Sequence, residues 1–275
     1  MSEAPENLDE YSAEGLLSAE AALVKAWAAL ENFHQDLVVV GGLAIHCHTR
    51  NKLHPRYRAT STLDVDFGIT LAADAGMAAP AGFALSMAGF VENEEGRIYQ
   101  ETEHGKLFVD FLTEHPPHRS GSRNVSDLKT SVCPGIGRAL LNPIVRDITG
   151  NDQFGEQRTF PIRFCNYGPL IVLKLNAFAN RTSAKKAKDA YDILSLVHSC
   201  EEGPEVAVAS FGEEKRAGNA GVESAIRALE EDFTNTESKG PVLAQGFYFG
   251  SLASKKEGAR LREDCVTIAR ALLDS

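Results

Sequence analysis

The stretch Leu63-Asp64-Val65-Asp66-Phe67-Gly68-Ile69 places two carboxylates two residues apart inside an apolar run that favours a β-strand. Residues i and i+2 of a strand point to the same face, so Asp64 and Asp66 are expected to project side by side. Two like charges held together need a cationic partner, and Mg²⁺ suits them because it binds carboxylate oxygens and substrate phosphates. The alternative is a strand at the edge of a sheet with two solvated aspartates.

A short apolar strand followed by two glycines precedes this stretch. Leu37-Val38-Val39-Val40 has the β-branched composition of a buried strand, and Gly41-Gly42 separates it from a predicted helix over Leu43–His48. A glycine turn between a strand and a helix leaves backbone N–H groups and the positive end of the helix facing outward, which suits a phosphate group. The simpler interpretation is a turn that only closes the contact between strand and helix.

The segment between the glycines and the aspartates is basic. No Asp or Glu occurs from Leu37 to Leu63, although acidic residues outnumber basic ones by 38 to 28 in the whole chain. A loop is predicted over 51–62, and it either faces a substrate with its cations or is an ordinary solvated loop. The cations in and beside it are Arg50, Lys52, Arg56 and Arg58. At its end, Ser61 and Thr62 could bind a phosphate or satisfy the loop backbone.

A third carboxylate is embedded in a later apolar strand. Strands are predicted over 97–101 and 106–113, joined by a turn at 103–105, and the second contains Phe108-Val109-Asp110-Phe111. If this strand lies beside the Asp64 strand, three carboxylates next to a glycine turn could hold one or two Mg²⁺ ions. Such an arrangement suits in-line displacement at phosphorus.

The rest of the chain predicts an α+β fold in two parts. Further helices are expected over 12–32, in a segment ending near Gly89, and over 169–197, 222–233 and 252–273. One further strand is expected over 157–165. Long loops with one or two short elements are expected over 114–155, and another loop through Gly240-Pro241. A composition shift predicts a mixed α/β domain over 1–166, which includes the N-terminal helix, followed by a helical domain over 167–275.

Composition and charge limit the function classes. The 275 residues, 43% hydrophobic and 24% charged, suit a globular protein with a proper core. The formal net charge of −10 argues against a broadly basic nucleic-acid-binding surface. The five cysteines are widely spaced, which fits neither a disulfide framework nor a zinc site. With no signal peptide and no apolar run of roughly 18 residues, we expect a cytoplasmic protein without a membrane segment.

In their order, these motifs resemble the polymerase-β-type nucleotidyltransferase superfamily. The matching segments are Val40-Gly41-Gly42, Thr62–Asp66 and Phe108–Phe111. Within that superfamily the chain is most similar to the AbiEii-like abortive-infection nucleotidyltransferases. That similarity is carried by Leu173–Phe178, Arg181 and Lys188–Ile193. One departure is the family's Arg-x-Thr-x-Asp lead-in, which here is Arg58-Ala59-Thr60-Ser61-Thr62-Leu63-Asp64, so that the arginine is displaced by two residues.

The resemblance implies a nucleotidyltransferase-like mixed sheet flanked by helices and a metal-dependent transfer of a nucleoside monophosphate from a nucleoside triphosphate. The catalytic carboxylates, which are also the implied ligands of Mg²⁺ or Mn²⁺, are Asp64, Asp66 and Asp110. The implied nucleotide contacts are Gly41, Gly42, Arg58, Thr62 and Lys174. The acceptor would be RNA such as tRNA, a protein side chain or a small molecule. The enzyme would be the toxin of a toxin–antitoxin pair, with a cognate antitoxin as its partner.

Three of the residues in the C-terminal part keep a simpler structural interpretation. Lys174 could be a lysine whose stem lies along an apolar surface. Asp189 and Asp192 could instead pair with Lys185 or Lys188 across a helix turn. For the whole protein, two other functions stay open. One is a degenerate nucleotidyltransferase that binds a nucleotide or a partner without catalysis, and the other is a metal-dependent phosphohydrolase.

Overall fold

A computed structural model gives the fold, in which the chain divides into two compact units. The described residues are 6–59, 62–70, 80–103, 105–114, 121–125, 127–181, 184–250 and 255–275. A sheet unit comprises the described parts of Ala13–Ala44 and Thr62–Asn166. A helical unit comprises the described parts of Met1–Ser12, Ile45–Ser61 and Tyr167–Ser275.

One mixed sheet runs through the sheet unit. Its strands in the described part of the chain are β1 (Leu37–Val40), β2 (Val65–Ile69), β3 (Val91–Glu92), β4 (Ile98–Thr102), β5 (Gly105–Thr113), β6 (Gly121–Val125), β7 (Leu128–Val132), β8 (Ile144–Asn151) and β9 (Gln157–Phe164). Their order is β3-β4-β5-β2-β1-β9-β8, with β7 pairing to β5 and β6 to β7. The β2–β5, β5–β7 and β1–β9 pairs are parallel, whereas β1–β2, β4–β5 and β8–β9 are antiparallel. The strands β1, β2 and β5 therefore lie in the interior of the sheet.

Apolar side chains on the central strands and on helix α1 (Ala13–Ala29) form the core of this unit. All four residues of β1 are buried, as expected for a strand that is covered on both faces. Trp27 of α1 is fully buried and contacts Phe67 of β2, whose ring stacks on Phe111 of β5. The shorter helices of the unit are α3 (Ala81–Met87) and α4 (Ile136–Leu141).

Helices and the segment 45–59 form most of the helical unit. Its long helices are α5 (Tyr167–Asn180), α6 (Ala184–Ser199), α7 (Pro204–Arg216), α8 (Val222–Asp232), α9 (Lys239–Phe249) and α10 (Lys255–Asp274). Hydrogen bonds tie the backbone of the segment 45–59 to the helices of this unit. The His48 carbonyl accepts from the Glu201 N–H at 3.1 Å, and the Arg56 carbonyl accepts from the Tyr248 hydroxyl at 3.0 Å.

The coarse prediction of an α+β fold with a mixed sheet and C-terminal helices is confirmed. The strands predicted over 97–101, 106–113 and 157–165 correspond to β4, β5 and β9. Residues 6–12 and 45–59 cluster with the helical unit, whereas the predicted α/β domain spans all of 1–166. Within the described ranges, none of the helices combines the length and the apolarity that a membrane span requires.

Two of the loop predictions are wrong. The region 114–155 contains β6, β7, α4 and β8, and β8 pairs along its whole length with β9, the next strand of the chain. Gly240 and Pro241 lie in the first turn of α9 and not in a loop. Proline is tolerated there because the first turn of a helix has no intrahelical acceptor for its N–H. Helix α7 was not predicted from the sequence at all.

Candidate active site

Asp66 and Asp110 are direct neighbours on two parallel strands. The register of β2 and β5 pairs Val65 with Val109 and Asp66 with Asp110. Adjacent strands lie about 4.8 Å apart, so the two carboxylates rise side by side from the sheet. Both are half-buried, between the buried valines and phenylalanines that alternate with them along their strands. The sheet thus brings together two of the three carboxylates that the sequence predicts as a metal site.

Asp64 lies one residue before β2 begins, and it is also half-buried. The Thr62 hydroxyl oxygen accepts a long hydrogen bond from the Asp64 backbone N–H, at 3.4 Å. Thr62 is therefore placed to satisfy the backbone in front of the aspartate, which is the simpler of its two predicted roles. Ser61, the other predicted phosphate contact here, lies outside the described residues.

Arg97 is the cation of this acidic group, and the sequence analysis did not identify it. Its guanidinium donates from Nε to Oδ1 of Asp110 at 3.0 Å and from Nη2 to Oδ2 at 2.6 Å, which is a bidentate pair. The same guanidinium lies 3.8 Å from the centre of the Phe108 ring. The signal that could have found it is the hairpin register, because β4 and β5 pair Ile98 with Val109 and so bring Arg97 opposite Asp110.

The pKa of Arg97 reports on all three carboxylates. Burial lowers this pKa, but the hydrogen bond to Asp110 and the negative charges of Asp110, Asp64 and Asp66 outweigh burial. The pKa of Arg97 therefore lies above its ordinary value. The three predicted carboxylates are consequently close enough to Arg97 for their charges to act on it together.

Gly41 and Gly42 bring the beginning of helix α2 (Gly41–Thr49) against the acidic group. The helix begins at Gly41 itself, whose φ of +66° favours glycine, and not at Leu43 as the sequence predicts. A Cβ atom on Gly41 would lie 2.7 Å from Cγ of Asp66, and one on Gly42 would lie 2.5 Å from Cβ of Thr62. Neither glycine can carry a side chain unless these neighbours move. The first N–H groups of α2, which have no intrahelical acceptor, therefore lie beside Asp66.

Arg58 belongs to the helical unit, where it is already engaged. Its guanidinium forms an ion pair with Asp9, with both side chains about half exposed. Its carbonyl oxygen accepts a 2.6 Å hydrogen bond from the Tyr191 hydroxyl of α6. The predicted contact of Arg58 with a nucleotide stays a prediction.

Lys174 also belongs to the helical unit, where it is buried in a network of ions. Its Nζ donates to Asp189 at 3.2 Å and to Asp192 at 2.6 Å, and both aspartates are fully buried. Lys188 donates to the two oxygens of Asp192 at 3.0 and 2.7 Å, which is the predicted pairing across a helix turn. Arg181 completes the network with hydrogen bonds of 3.1 and 2.9 Å to Asp189.

The ionisation of this network follows from its mutual charges. Burial lowers the pKa of Lys174, but the charges of Asp192 and Asp189 raise it by more. The pKa therefore lies above its ordinary value. Burial raises the pKa of Asp192, and the charges of Lys174 and Lys188 bring it below its ordinary value. Lys174 is therefore a charged structural element of the helical core. Its predicted contact with a triphosphate stays a prediction.

The acidic group suits a hard divalent cation by its donors and charge, although it is not a closed metal cage. No three His, Cys, Asp or Glu side chains among the described residues are gathered closely enough to hold a metal ion by themselves. Mg²⁺ does not require such a cage, because it is usually held by one or two carboxylates together with waters and substrate phosphates. Asp66 and Asp110, paired across β2 and β5 with Asp64 nearby, are the carboxylates that could supply such oxygen ligands.

Comparison with known proteins adds no family to these observations. No protein-family model matches the chain, and no curated protein matches it either. The function proposed below therefore rests on the residues of this chain and their arrangement.

Proposed function

We propose that the chain is a metal-dependent nucleotidyltransferase that moves a nucleoside monophosphate from a nucleoside triphosphate to an acceptor. The observation that carries the proposal is the pairing of Asp66 with Asp110 on adjacent parallel strands, beside the glycine start of α2. Carboxylates next to the N-terminal end of a helix provide ligands for a hard cation and for phosphate oxygens in one place. A nucleotidyltransferase-like sheet is part of the same proposal.

Five residues of the sheet unit have a role in the proposed reaction. Asp64, Asp66 and Asp110 would hold Mg²⁺ or Mn²⁺, which when bound supplies charge neutralisation and polarisation of the α-phosphate. The backbone N–H groups at Gly41 and Gly42 bind phosphate oxygens, and the missing side chains let the phosphates approach.

The bond changes of the transfer define what the carboxylates must do. An acceptor hydroxyl attacks the α-phosphorus, and the new oxygen–phosphorus bond forms as the bond to the β-phosphate oxygen breaks. Pyrophosphate leaves. The hydroxyl proton passes to a base, for which Asp110 is the candidate because the parallel register holds it at the side of Asp66 away from α2.

The experiment that tests the proposal follows label from α-labelled nucleoside triphosphates into macromolecules of a cell extract. Wild-type protein with Mg²⁺ should transfer label and release pyrophosphate, and Asp66→Asn should abolish both. Asp147→Asn is the matched control, because Asp147 is an exposed aspartate on β8 of the same sheet. Full transfer by the Asp66→Asn protein would refute the proposal.

A second candidate function is nucleotide binding without transfer. It is favoured by one observation, the bidentate hold of Arg97 on Asp110, which occupies a predicted metal ligand. Calorimetry with Mg²⁺ and each nucleoside triphosphate, followed by a pyrophosphate assay, separates the two. Tight binding with no pyrophosphate indicates the binding protein. Release of inorganic phosphate with no labelled acceptor indicates a phosphohydrolase.

The acceptor and the biological setting are proposed from the family resemblance. Ribonuclease or protease treatment of the labelled product distinguishes RNA such as tRNA from protein, and label that resists both and stays small indicates a small molecule. If the protein is a toxin, its expression should arrest growth, and Asp66→Asn should not. A regulator encoded next to it that relieves the arrest would be the cognate antitoxin.

A further inference from the structure

Three charged side chains form a row across neighbouring segments of the sheet unit. Val40 of β1 pairs with Asp66 of β2, Asp66 pairs with Asp110 of β5, and Asp110 binds Arg97, which immediately precedes β4. The row therefore ends in a cation that is covalently part of the chain. A divalent cation bound by Asp66 and Asp110 would meet this arginine at one of its two ligands.

The backbone around Arg97 is built to aim it at Asp110. The Asn93 side-chain oxygen accepts the Arg97 N–H at 2.8 Å, and the Arg97 carbonyl accepts the Asn93 N–H at 2.9 Å. Gly96 closes this turn with a φ of +79°, a conformation that favours glycine. The ring of Phe108 supports the guanidinium from β5. Turn, ring and carboxylate together place the arginine, so its position is not that of a solvated surface side chain.

The pair uses both oxygens of Asp110, and a metal ion would need the same oxygens. A guanidinium that donates to Oδ1 and Oδ2 draws electron density from both and adds a positive charge beside any incoming cation. Repulsion between the two cations would therefore weaken the binding of a divalent ion to Asp110 as long as the guanidinium stays in place. The withdrawn arginine would then be free to pair with a phosphate of the nucleotide, for which guanidinium is well suited.

We infer that Arg97 is a built-in counter-cation that competes with the divalent metal for Asp110 and must leave Asp110 before metal and nucleotide bind. This inference rests on the proposed function. It makes metal binding an exchange of one cation for another and keeps the acidic row compensated in the metal-free protein. The opposite possibility, that Arg97 holds Asp110 in the orientation the metal requires, predicts an effect of the opposite sign.

The experiment measures Mn²⁺ binding by the free-ion electron paramagnetic resonance signal, at fixed neutral pH and without nucleotide. Arg97→Gln should bind Mn²⁺ about tenfold more tightly than wild type, because a charge-assisted hydrogen bond and its charge are removed from a partly exposed site. Arg158→Gln is the matched control, since Arg158 also pairs with a carboxylate, Asp152, and lies over a ring, Phe160. It should bind Mn²⁺ as wild type does.

The outcomes separate the proposed metal site from the competition between Arg97 and the metal. Equal or weaker Mn²⁺ binding by Arg97→Gln, with measurable binding by wild type, overturns the competition and leaves the proposed metal site standing. No Mn²⁺ binding by wild type, Arg97→Gln or Arg158→Gln overturns the proposed function and this inference together. Binding by Arg97→Gln alone supports the inference, because it shows that the arginine excludes the metal.

A measurement on the wild-type chain covers the case in which Arg97→Gln does not fold. The Nε–H signal of Arg97 in a heteronuclear NMR spectrum, assigned by its loss in Arg97→Lys, should shift and exchange faster with solvent on saturation with Mg²⁺. An Arg97 Nε–H signal that stays unchanged while other signals of the protein report Mg²⁺ binding would overturn the exchange.

Discussion

Replacing Lys174 by methionine separates a structural ion from a nucleotide contact. Methionine keeps the length and apolar stem of lysine but removes the charge that binds two fully buried aspartates. After the replacement, Asp189 keeps Arg181 and Asp192 keeps Lys188. No buried carboxylate is therefore left without a cation.

The magnitude follows from these remaining partners. Removing one member of a buried ion pair costs about 3–5 kcal/mol when the other is left uncompensated. Because both aspartates keep a partner, we expect Lys174→Met to lower the free energy of unfolding by about 2–3 kcal/mol, close to one charged hydrogen bond. Asp192→Asn should cost more, about 3–5 kcal/mol, because the buried Lys174 and its neighbour Lys188 both lose their closest anion.

Urea unfolding followed by circular dichroism measures these differences. Lys185→Met is the matched control, since Lys185 is an exposed lysine of α6, and it should change stability by less than about 0.5 kcal/mol. We therefore expect Asp192→Asn to be the least stable, Lys174→Met intermediate and Lys185→Met close to wild type. A Lys174→Met protein as stable as the Lys185→Met control would refute the structural role of the network.

The same network contributes to the acid limit of stability. The pKa of Asp192 is lower in the folded protein than its ordinary value of 3.8. A lowered carboxyl pKa contributes stability that is present above the unfolded pKa and is lost as the pH falls through the folded pKa. Lys174→Met weakens the cause of this shift, so unfolding free energies measured between about pH 5 and pH 2 should fall less steeply in the variant than in wild type.

Two further predictions concern the glycine start of α2 and the basic segment. Gly41→Ala should abolish nucleotide binding measured by calorimetry, because a Cβ there collides with Asp66. Gly155→Ala is the control, since Gly155 also has a positive φ, +83°, but an added Cβ would have no heavy atom within 4 Å. This variant meets only the backbone strain and should bind as wild type does. Equal binding by both variants would contradict the close approach. Tyr191→Phe should lower the urea midpoint by the equivalent of about 1 kcal/mol, because the carbonyl of Arg58 loses its buried donor.

The local sequence pattern was sufficient to predict elements whose composition or periodicity is pronounced. The β-branched run of β1, the alternating apolar residues of β5 and the periodic helix α1 all form where the sequence predicts them. Strand β8 and helix α9 were not predicted, for two different reasons. Strand β8 has a weak apolar pattern of its own and is held by its pairing with β9, whereas α9 carries Gly240 and Pro241 in its first turn, where the local pattern alone predicts a loop.

The candidate site shows the same division at the level of single residues. The order of the glycines, the aspartate pair and the later Asp110 is readable in the sequence, and the i, i+2 spacing puts Asp64 and Asp66 on one face. Arg97 could be found only through the hairpin register, and it changes the expected state of Asp110 from a free ligand to an ion-paired one.

The sequence by itself determined which chemical groups this protein can bring to a site, because residue types and their spacing along one strand or helix are local properties. Only the tertiary structure decided which groups meet. Strand order placed Asp66 beside Asp110, the packing of α2 placed its glycines against Asp66 and Thr62, and the packing of α5 on α6 buried Lys174 between two aspartates. Such partners lie far apart in the chain, and their energies depend on burial and charge that exist only after folding.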